Sequence, residues 1–237
     1  MKYPDDYINK VIQGDCLEIM RGMPDKSVDL VLTDPPYGIN VGGKSRERER
    51  ERVIVGIAAI PFGNKGRNKR IVAPKSYTGF DDTRIPSAEI FEEMRRVSKN
   101  QIIFGGNYFT VHLPSSSCWS VWDKDNAESF FADCELAWTS FNTAVRKVKW
   151  RWFGMLQGDM KNKEERVHPT QKPVPVMSWI LENYSEKNQT ILDPFLGSGT
   201  TAVAAKALNR NFIGIEISEK YCAIARERLQ SVTQAML

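Results

Sequence analysis

Two short stretches carry residue types that chemistry needs. The first, Asp34-Pro35-Pro36-Tyr37, follows a strand-like run from Val28 to Leu32. The second, Asp193-Pro194-Phe195-Leu196-Gly197-Ser198-Gly199-Thr200-Thr201, follows the apolar run Thr190-Ile191-Leu192 and opens a helical pattern. Its glycines permit a tight turn and close approach of backbone to a ligand, with N–H groups at the helix start facing an anion or carboxylate. Gly197, Gly199 and Ala202 satisfy G-x-G-x-x-[G/A]. That pattern gains weight from Glu216, at the end of the next strand-like run, because a carboxylate there can accept both hydroxyls of a ribose. A rigid turn at Asp34 and a surface acid at Glu216 are the plain alternatives.

A nucleoside cofactor is the expectation from these features. A dinucleotide fold needs several more strands after Glu216, and the residues up to Leu237 do not supply them, so the sheet is expected to be entered in its middle. Taken circularly, the next strand is the N-terminal one, Asn9-Lys10-Val11-Ile12, followed by Gly14-Asp15-Cys16. This order lays Asp15 beside Glu216, where its carboxylate can accept a hydrogen bond from an adenine amino group. Asp15 can also cap a helix over Cys16 to Met20, and the two uses are compatible.

The strand after that ends in the Asp34 motif. An exocyclic amine on a nucleobase is a poor nucleophile because its lone pair is delocalised into the ring. A carboxylate (Asp34) and a backbone carbonyl (Pro35) that accept its two N–H bonds favour a pyramidal nitrogen with a free lone pair. The paired prolines aim that carbonyl before a substrate arrives. Tyr37 can stack on a base turned out of a duplex. Methyl transfer from a sulfonium then needs an in-line approach and proximity, with no metal and no covalent enzyme intermediate. His112 and His168 are the only histidines and the four cysteines are scattered, so no metal site is expected.

These stretches need a scaffold. Strand-like runs at Val28–Leu32, Gln101–Phe104, Thr190–Leu192 and Phe212–Ile215 alternate with helical patterns. Ser87 is placed to cap a helix reaching Val97, with acids early and Arg95 and Arg96 late. Val174–Tyr184 and Thr200–Leu208 have helical spacing, and Ser218 is placed to cap a last helix through Leu229. Such alternation predicts an α/β fold with a parallel sheet covered on both faces. Cys134–Phe141 reads as a strand near the far edge. The 237 residues suit one domain, 1–237, with inserts at 39–86 and 142–167. The first insert has weak periodicity and contains the run Ser45 to Arg52, SRERERER.

The net charge of +4 is unevenly placed. Ten Lys/Arg stand against three Glu between Lys44 and Lys75, and Arg146, Lys147, Lys149 and Arg151 are interleaved with Trp150, Trp152 and Phe153. Basic side chains attract phosphates and adjacent aromatics offer stacking surfaces, so both stretches are candidate nucleic-acid contacts. A solvated loop and an amphipathic strand are the plain readings. The longest apolar run, Val53 to Ile60, is far short of the roughly 20 residues a bilayer-spanning helix needs. The N-terminus lacks the apolar stretch of a signal peptide. With scattered cysteines, a soluble cytoplasmic protein without a membrane partner is expected.

Taken together, Asp34-Pro35-Pro36-Tyr37, His168-Pro169-Thr170-Gln171-Lys172-Pro173, the Asp193 to Thr201 loop and the strand ending in Glu216 resemble the amino-methylating DNA methyltransferases that use S-adenosylmethionine. The likeness is to the permuted (beta) group, in which the catalytic motif precedes the cofactor motif, and it covers most of the chain. It implies a doubly wound, mostly parallel, Rossmann-like methyltransferase sheet with an antiparallel edge hairpin. A flipped target base and catalysis by Asp34, Pro35, Pro36 and Tyr37 are implied as well. S-adenosylmethionine is then held by Asp15, Cys16, Asp34, Asp193, Pro194, Phe195, Gly197, Ser198, Gly199, Thr200, Thr201, Glu216 and Ile217. Thr170, Gln171 and Lys172 are implied beside its methionine end.

The resemblance also makes residues 142–167 the target-recognition segment, with Arg146, Lys147, Lys149 and Arg151 on DNA. Residues 39–86 then face DNA or are partly disordered. Double-stranded DNA is the implied partner, with a cognate restriction endonuclease or, in a solitary modifier, none; monomer and homodimer are both open. An Asp at the head of the motif leans toward adenine-N6. Cytosine-N4 is the alternative, since both amines make the same two hydrogen bonds, and a DNA-binding protein keeping the cofactor fold without turnover is a third reading.

Overall fold

Nearly continuous apolar runs such as Val28 to Leu32 suit strands buried on both faces. The computed structural model describes residues 1–39, 82–126, 132–153, 156–168 and 170–232. In chain order these form β1 (Lys10–Gln13), α1 (Cys16–Arg21), β2 (Val28–Thr33), α2 (Ala88–Val97), β3 (Ser98–Phe104), β4 (Trp119–Asp123) and β5 (Cys134–Thr139). There follow β6 (Arg146–Lys149), β7 (Trp152–Phe153), β8 (Leu156–Gln157), α3 (Val174–Tyr184), β9 (Thr190–Asp193), α4 (Thr200–Ala207), β10 (Asn211–Glu216) and α5 (Glu219–Gln230).

One sheet takes the order β1-β10-β9-β2-β3-β5-β4-β6, and β7 with β8 forms a separate antiparallel pair. Neighbours from β1 to β3 are parallel, whereas β5 is antiparallel to both β3 and β4. The doubly wound, mostly parallel Rossmann-like sheet with an antiparallel edge region is therefore the observed architecture. The edge itself differs from expectation. β6 adds a strand parallel to β4 beyond the hairpin, so the Cys134 strand lies inside two others.

The winding reverses between β9 and β2. From β9 the sheet continues through β10 to β1, and from β2 it continues through β3. In open α/β sheets such a reversal leaves a crevice at the carboxyl ends of the strands, where ligands bind. Gln13, Thr33, Asp193 and Glu216 all end their strands on this side, and Gln13 lies in register with Glu216.

Burial follows the period-two alternation of the strands. On one face Leu30, Leu32, Ile102, Phe104 and Ile191 pack with Val176, Met177 and Ile180 of α3 and with Ala204 and Ala205 of α4. The alternate residues Val31, Ile103 and Leu192 are equally buried on the opposite face. Arg96, late in α2, reaches the carboxylates of Glu93 and Asp25 and the carbonyls of Met20 and Met23, which ties α2 to the end of α1. Ser87 and Ser218 stand at the N-cap positions of α2 and α5, but neither side chain makes a capping bond.

The chain divides into two compact units, Met1–Pro35 with Pro86–Leu237, and Pro36–Ile85. In the second, the Gly38 N–H donates to Asp82 Oδ1 at 2.9 Å, and Gly38 has φ 72°. Most of the insert expected at 39–86, including Ser45 to Arg52 and the basic stretch from Lys44 to Lys75, lies outside the described residues. Part of the insert expected at 142–167 is no excursion at all, because Arg146–Lys149 is the outermost strand of the main sheet. Among the described residues, no helix is long and apolar enough to cross a membrane.

Candidate active site

The glycine loop joins β9 to α4, and its fold depends on small residues. Leu196 donates its N–H to Ile215 O at 2.9 Å, and its side chain occupies the space a Cβ at Gly214 would fill, 2.5 Å from Leu196 Cδ2. Gly199 has φ 89°, a left-handed conformation, and stands at the N-cap of α4. A Cβ there would lie 2.8 Å from Ala225 Cβ, so the absent side chain also lets α5 approach.

Asp193 is the internal support of this loop. It is 4% exposed and accepts from Thr33 Oγ1 (2.7 Å), Thr201 Oγ1 (2.6 Å) and Phe195 N (3.1 Å). Burial pushes its carboxyl up to about 6 against these donors. Ser198 and Thr200 likewise face protein: Arg228 Nη1 donates to Ser198 O, Ser198 Oγ and Thr200 Oγ1. The polar side chains of the loop thus serve its shape, leaving backbone groups to meet a ligand. Pro194 is buried, and Phe195 is half-buried.

Glu216 sits at the end of β10. Its Oε2 accepts from Gly197 N at 2.9 Å and its Oε1 from Ser218 N at 2.8 Å. Burial raises its pKa although the N–H donors oppose the shift. Each oxygen keeps a further lone pair, an acceptor set that fits the two hydroxyls of a ribose diol. Asp15 is the N-cap of α1, with Oδ1 accepting from Leu17 N and Glu18 N, so Oδ2 is the oxygen left for a ligand. The neighbouring Cys16 thiol is pushed up to about 12 by burial and by Asp15, and it stays neutral. Ile217 is 72% exposed, an apolar surface beside Glu216.

Asp34 follows β2, beside the buried Pro35. Its Oδ2 lies 2.5 Å from the ammonium of Lys172, which is itself 3.1 Å from Glu135 Oε2. Lys172 therefore faces the carboxylate that the sequence marks for amine activation, a contact the sequence reading did not anticipate. Burial works against the charge on Lys172, yet Asp34 and Glu135 hold its pKa above the ordinary value. Pro36 and Tyr37 open the second compact unit.

Gln171 lies beside the glycine loop, with Ser198 Oγ 3.5 Å from its Oε1. Gln171 is fully engaged: Nε2 donates to Glu164 Oε1 (2.7 Å) and Glu165 O, and Oε1 accepts from Val167 N. Glu164 also accepts from Arg228 Nη2 at 2.8 Å and from Val174 N. Arg228 and Glu164 were invisible as site residues in sequence, because their partners are far apart in the chain. His168 is 8% exposed and packs edge-on against Tyr221, with centroids 4.5 Å apart. Burial, then the Lys172 charge, lower its pKa to about 4. Its ring is neutral, and Nδ1 accepts from Thr170 N at 3.3 Å.

The basic strand is less free than its sequence suggests. Lys147 pairs with Asp123 at 3.3 Å, while Lys149 and Arg151 both pair with Asp125, at 2.7 and 2.6 Å. Trp150 and Trp152 turn inward against the core, which corrects their expected role as open stacking surfaces. Trp150 covers Gly158, where a Cβ would fall 2.7 Å from the indole, and Arg166 lies 4.3 Å over the Trp152 ring. Strand alternation and a nearby apolar core explain the inward turn. Among the described residues no group of three or more His, Cys, Asp or Glu could hold a metal ion.

Residues 119–227 match the family described as DNA methylase, a span that holds the His168 stretch, the glycine loop and Glu216 and begins after the Asp34 motif. Over its whole length the chain is similar to the Escherichia coli protein YubD, at 29% identity covering 97% of this chain and 93% of that protein. It is also similar to the type II methyltransferase M.BglII of Bacillus subtilis, at 28% identity covering 96% and 70%. Among solved structures, the M1.HpyAVI–SAM complex shares the fold with a TM-score of 0.52 and 22% identity, covering 93% of this chain and 99% of that one. Each of these sequence likenesses is to a protein or family described as a methylase or methyltransferase, and the match to the family model begins at residue 119.

Proposed function

We propose that this chain is an S-adenosylmethionine-dependent DNA methyltransferase that modifies the exocyclic amine of a base turned out of the duplex, and that the base is adenine, methylated at N6. The observation that carries the reading is the meeting of two motifs at one crevice. Thr33, next to Asp34, is hydrogen-bonded to Asp193, which supports the glycine loop. An amine-activating carboxylate and a nucleoside-type loop therefore share one end of the sheet.

The residues present fit the cofactor. Glu216 offers acceptor oxygens for a ribose diol, Asp15 Oδ2 suits a base amino group, and Ile217 gives an apolar surface for a purine. Gly197, Gly199 and Phe195 bring backbone to the same place. Thr170, Gln171 and Lys172 help hold the methionine end of the cofactor in this reading. When bound, S-adenosylmethionine supplies a methyl group activated by a sulfonium. Asp34 and the Pro35 carbonyl accept the two N–H bonds of the target amine and free its lone pair, while the ring of Tyr37 stacks on the base. Carboxylate acceptance also gives the proton lost by the methylated nitrogen a route out of the site.

Arg146, Lys147, Lys149 and Arg151 form the proposed phosphate contact within a target-recognition segment over 142–167, and in this reading the chain is one methyltransferase domain carrying that insert and 39–86. Adenine is favoured because Asp, rather than Ser, heads the motif. Radiolabelled methyl transfer to mixed DNA with nucleoside analysis tests the proposal. N6-methyladenine is expected; N4-methylcytosine alone overturns the base assignment, and no labelled base overturns the enzyme. Asp34→Ala is expected to abolish transfer while calorimetry shows cofactor binding retained.

A further inference from the structure

A line of four alternating charges runs from the hairpin of β4 and β5 to Asp34. Lys124 Nζ lies 2.7 Å from Glu135 Oε1, Glu135 Oε2 lies 3.1 Å from Lys172 Nζ, and Lys172 Nζ lies 2.5 Å from Asp34 Oδ2. The side chains are 18%, 21%, 7% and 18% exposed in that order, so each charge is largely out of water. Aromatic rings flank the two ammoniums: Phe104 is 5.2 Å from Lys172 Nζ and Trp122 is 5.3 Å from Lys124 Nζ. Three separate parts of the chain are joined here, since Glu135 on β5 sits opposite Trp122 on β4, Asp34 follows β2, and Lys172 precedes α3.

We propose that Glu135, backed by Lys124, is a positioning residue that acts through Lys172 to set the orientation and charge of the Asp34 carboxylate. The inference rests on the amine-activating role given to Asp34 above. A lone buried ammonium beside Asp34 would compete with the substrate amine for the carboxylate lone pairs. It would also be left uncompensated whenever Asp34 turned toward that amine, and an unpaired buried charge is costly. Glu135 removes both difficulties by supplying a second counter-charge. Its contact with Lys172, at 3.1 Å against 2.5 Å for Asp34, gives the ammonium a second carboxylate to hold when Asp34 turns to the amine. Lys124 in turn balances Glu135, whose burial would raise its pKa but whose two ammonium neighbours lower it. Two more titratable groups feel the line: the Asp34 charge raises Asp193, and the Lys172 charge lowers His168.

Glu135→Gln keeps the size of the side chain and removes its charge. In methyl transfer to DNA, kcat is expected to fall about tenfold, the loss of one charge-assisted contact. KM for the methyl donor should stay within about twofold. The acid limb of the kcat profile should move to lower pH, because a positive neighbour that has lost its counter-charge makes Asp34 easier to ionise. Glu135→Asp should recover part of kcat, and Lys124→Met should shift the profile the opposite way. In ¹⁵N-lysine-labelled protein without cofactor, the Lys172 Nζ signal should titrate at lower pH in Glu135→Gln than in the parent. An unmoved acid limb and an unmoved Lys172 titration in a folded Glu135→Gln protein overturn the proposal. A parent protein that transfers no methyl group overturns the enzyme reading instead, and the lysine titration still decides whether the charge line exists.

Discussion

Thr33 Oγ1 donates to Asp193 Oδ1 at 2.7 Å, joining the end of β2 to the end of β9 at the point where the sheet reverses its winding. The bond spans 160 positions of sequence and is wholly buried. It sets the turn that begins at Asp34 and the glycine loop on a common support. Thr33→Val keeps the shape and removes the donor, leaving a buried carboxylate with Thr201 Oγ1 and Phe195 N. The expected cost is about 1–3 kcal/mol in urea unfolding, with weaker binding of the methyl donor. An unchanged midpoint would show that the bond contributes nothing.

Gly199 combines a left-handed φ of 89° with close packing on Ala225. Gly199→Ala must meet both the strain of a Cβ at positive φ and the contact with α5, a loss of roughly 2 kcal/mol or more. Adding Ala225→Gly should recover only part of that loss, because it opens space without changing φ. Full recovery in the double variant would refute the strain component.

His168 supplies a signed pH dependence. Its folded pKa of about 4 lies below the unfolded value of 6.5, so the unfolded chain takes up the proton first as pH falls. The stability it contributes is intact above 6.5 and is lost as pH falls toward 4; between pH 7 and pH 5 the loss is about 2 kcal/mol. Asp193 opposes this, because its pKa is raised to about 6 and its burdened charge is relieved over the same interval. His168→Gln removes the first effect alone. Its stability deficit relative to the parent should shrink by about 2 kcal/mol from pH 7 to pH 5, measured by urea unfolding at each pH. A constant deficit would mean the imidazole ionises alike in both states.

The proposed phosphate contact carries its own counter-charges. Asp125 neutralises Lys149 and Arg151, and Asp123 pairs with Lys147. Asp125→Asn should tighten DNA binding and steepen the dependence of log K on log salt by up to about 0.9 per phosphate newly engaged. Arg146→Glu should weaken binding and flatten the slope. Fluorescence anisotropy across a salt series reads both, and slopes unmoved by either change would return this strand to a purely structural role.

The sequence by itself determined the central strands, most helix limits, and the permuted order that brings Asp15 and Glu216 to neighbouring strand ends, with Asp34 two strands further on, across β9. Those features are local: apolar periodicity, glycine in a turn, an acid at a strand end. Asp15 as N-cap and Glu216 on backbone N–H groups follow from residues only a few positions away or on an adjacent parallel strand. Only the tertiary structure decided what the buried polar side chains do. Asp193, Gln171, Ser198 and Thr201 were legible as site residues but turn into the protein, because each meets a donor or acceptor delivered by another element. Arg146 to Lys149, for which an amphipathic strand is the plain reading, is the edge strand of the sheet, since pairing with β4 satisfies its backbone there. The line from Lys124 through Glu135 and Lys172 to Asp34 left no trace in the sequence. Its charges lie on distant segments, and local periodicity does not report which buried charges neutralise one another.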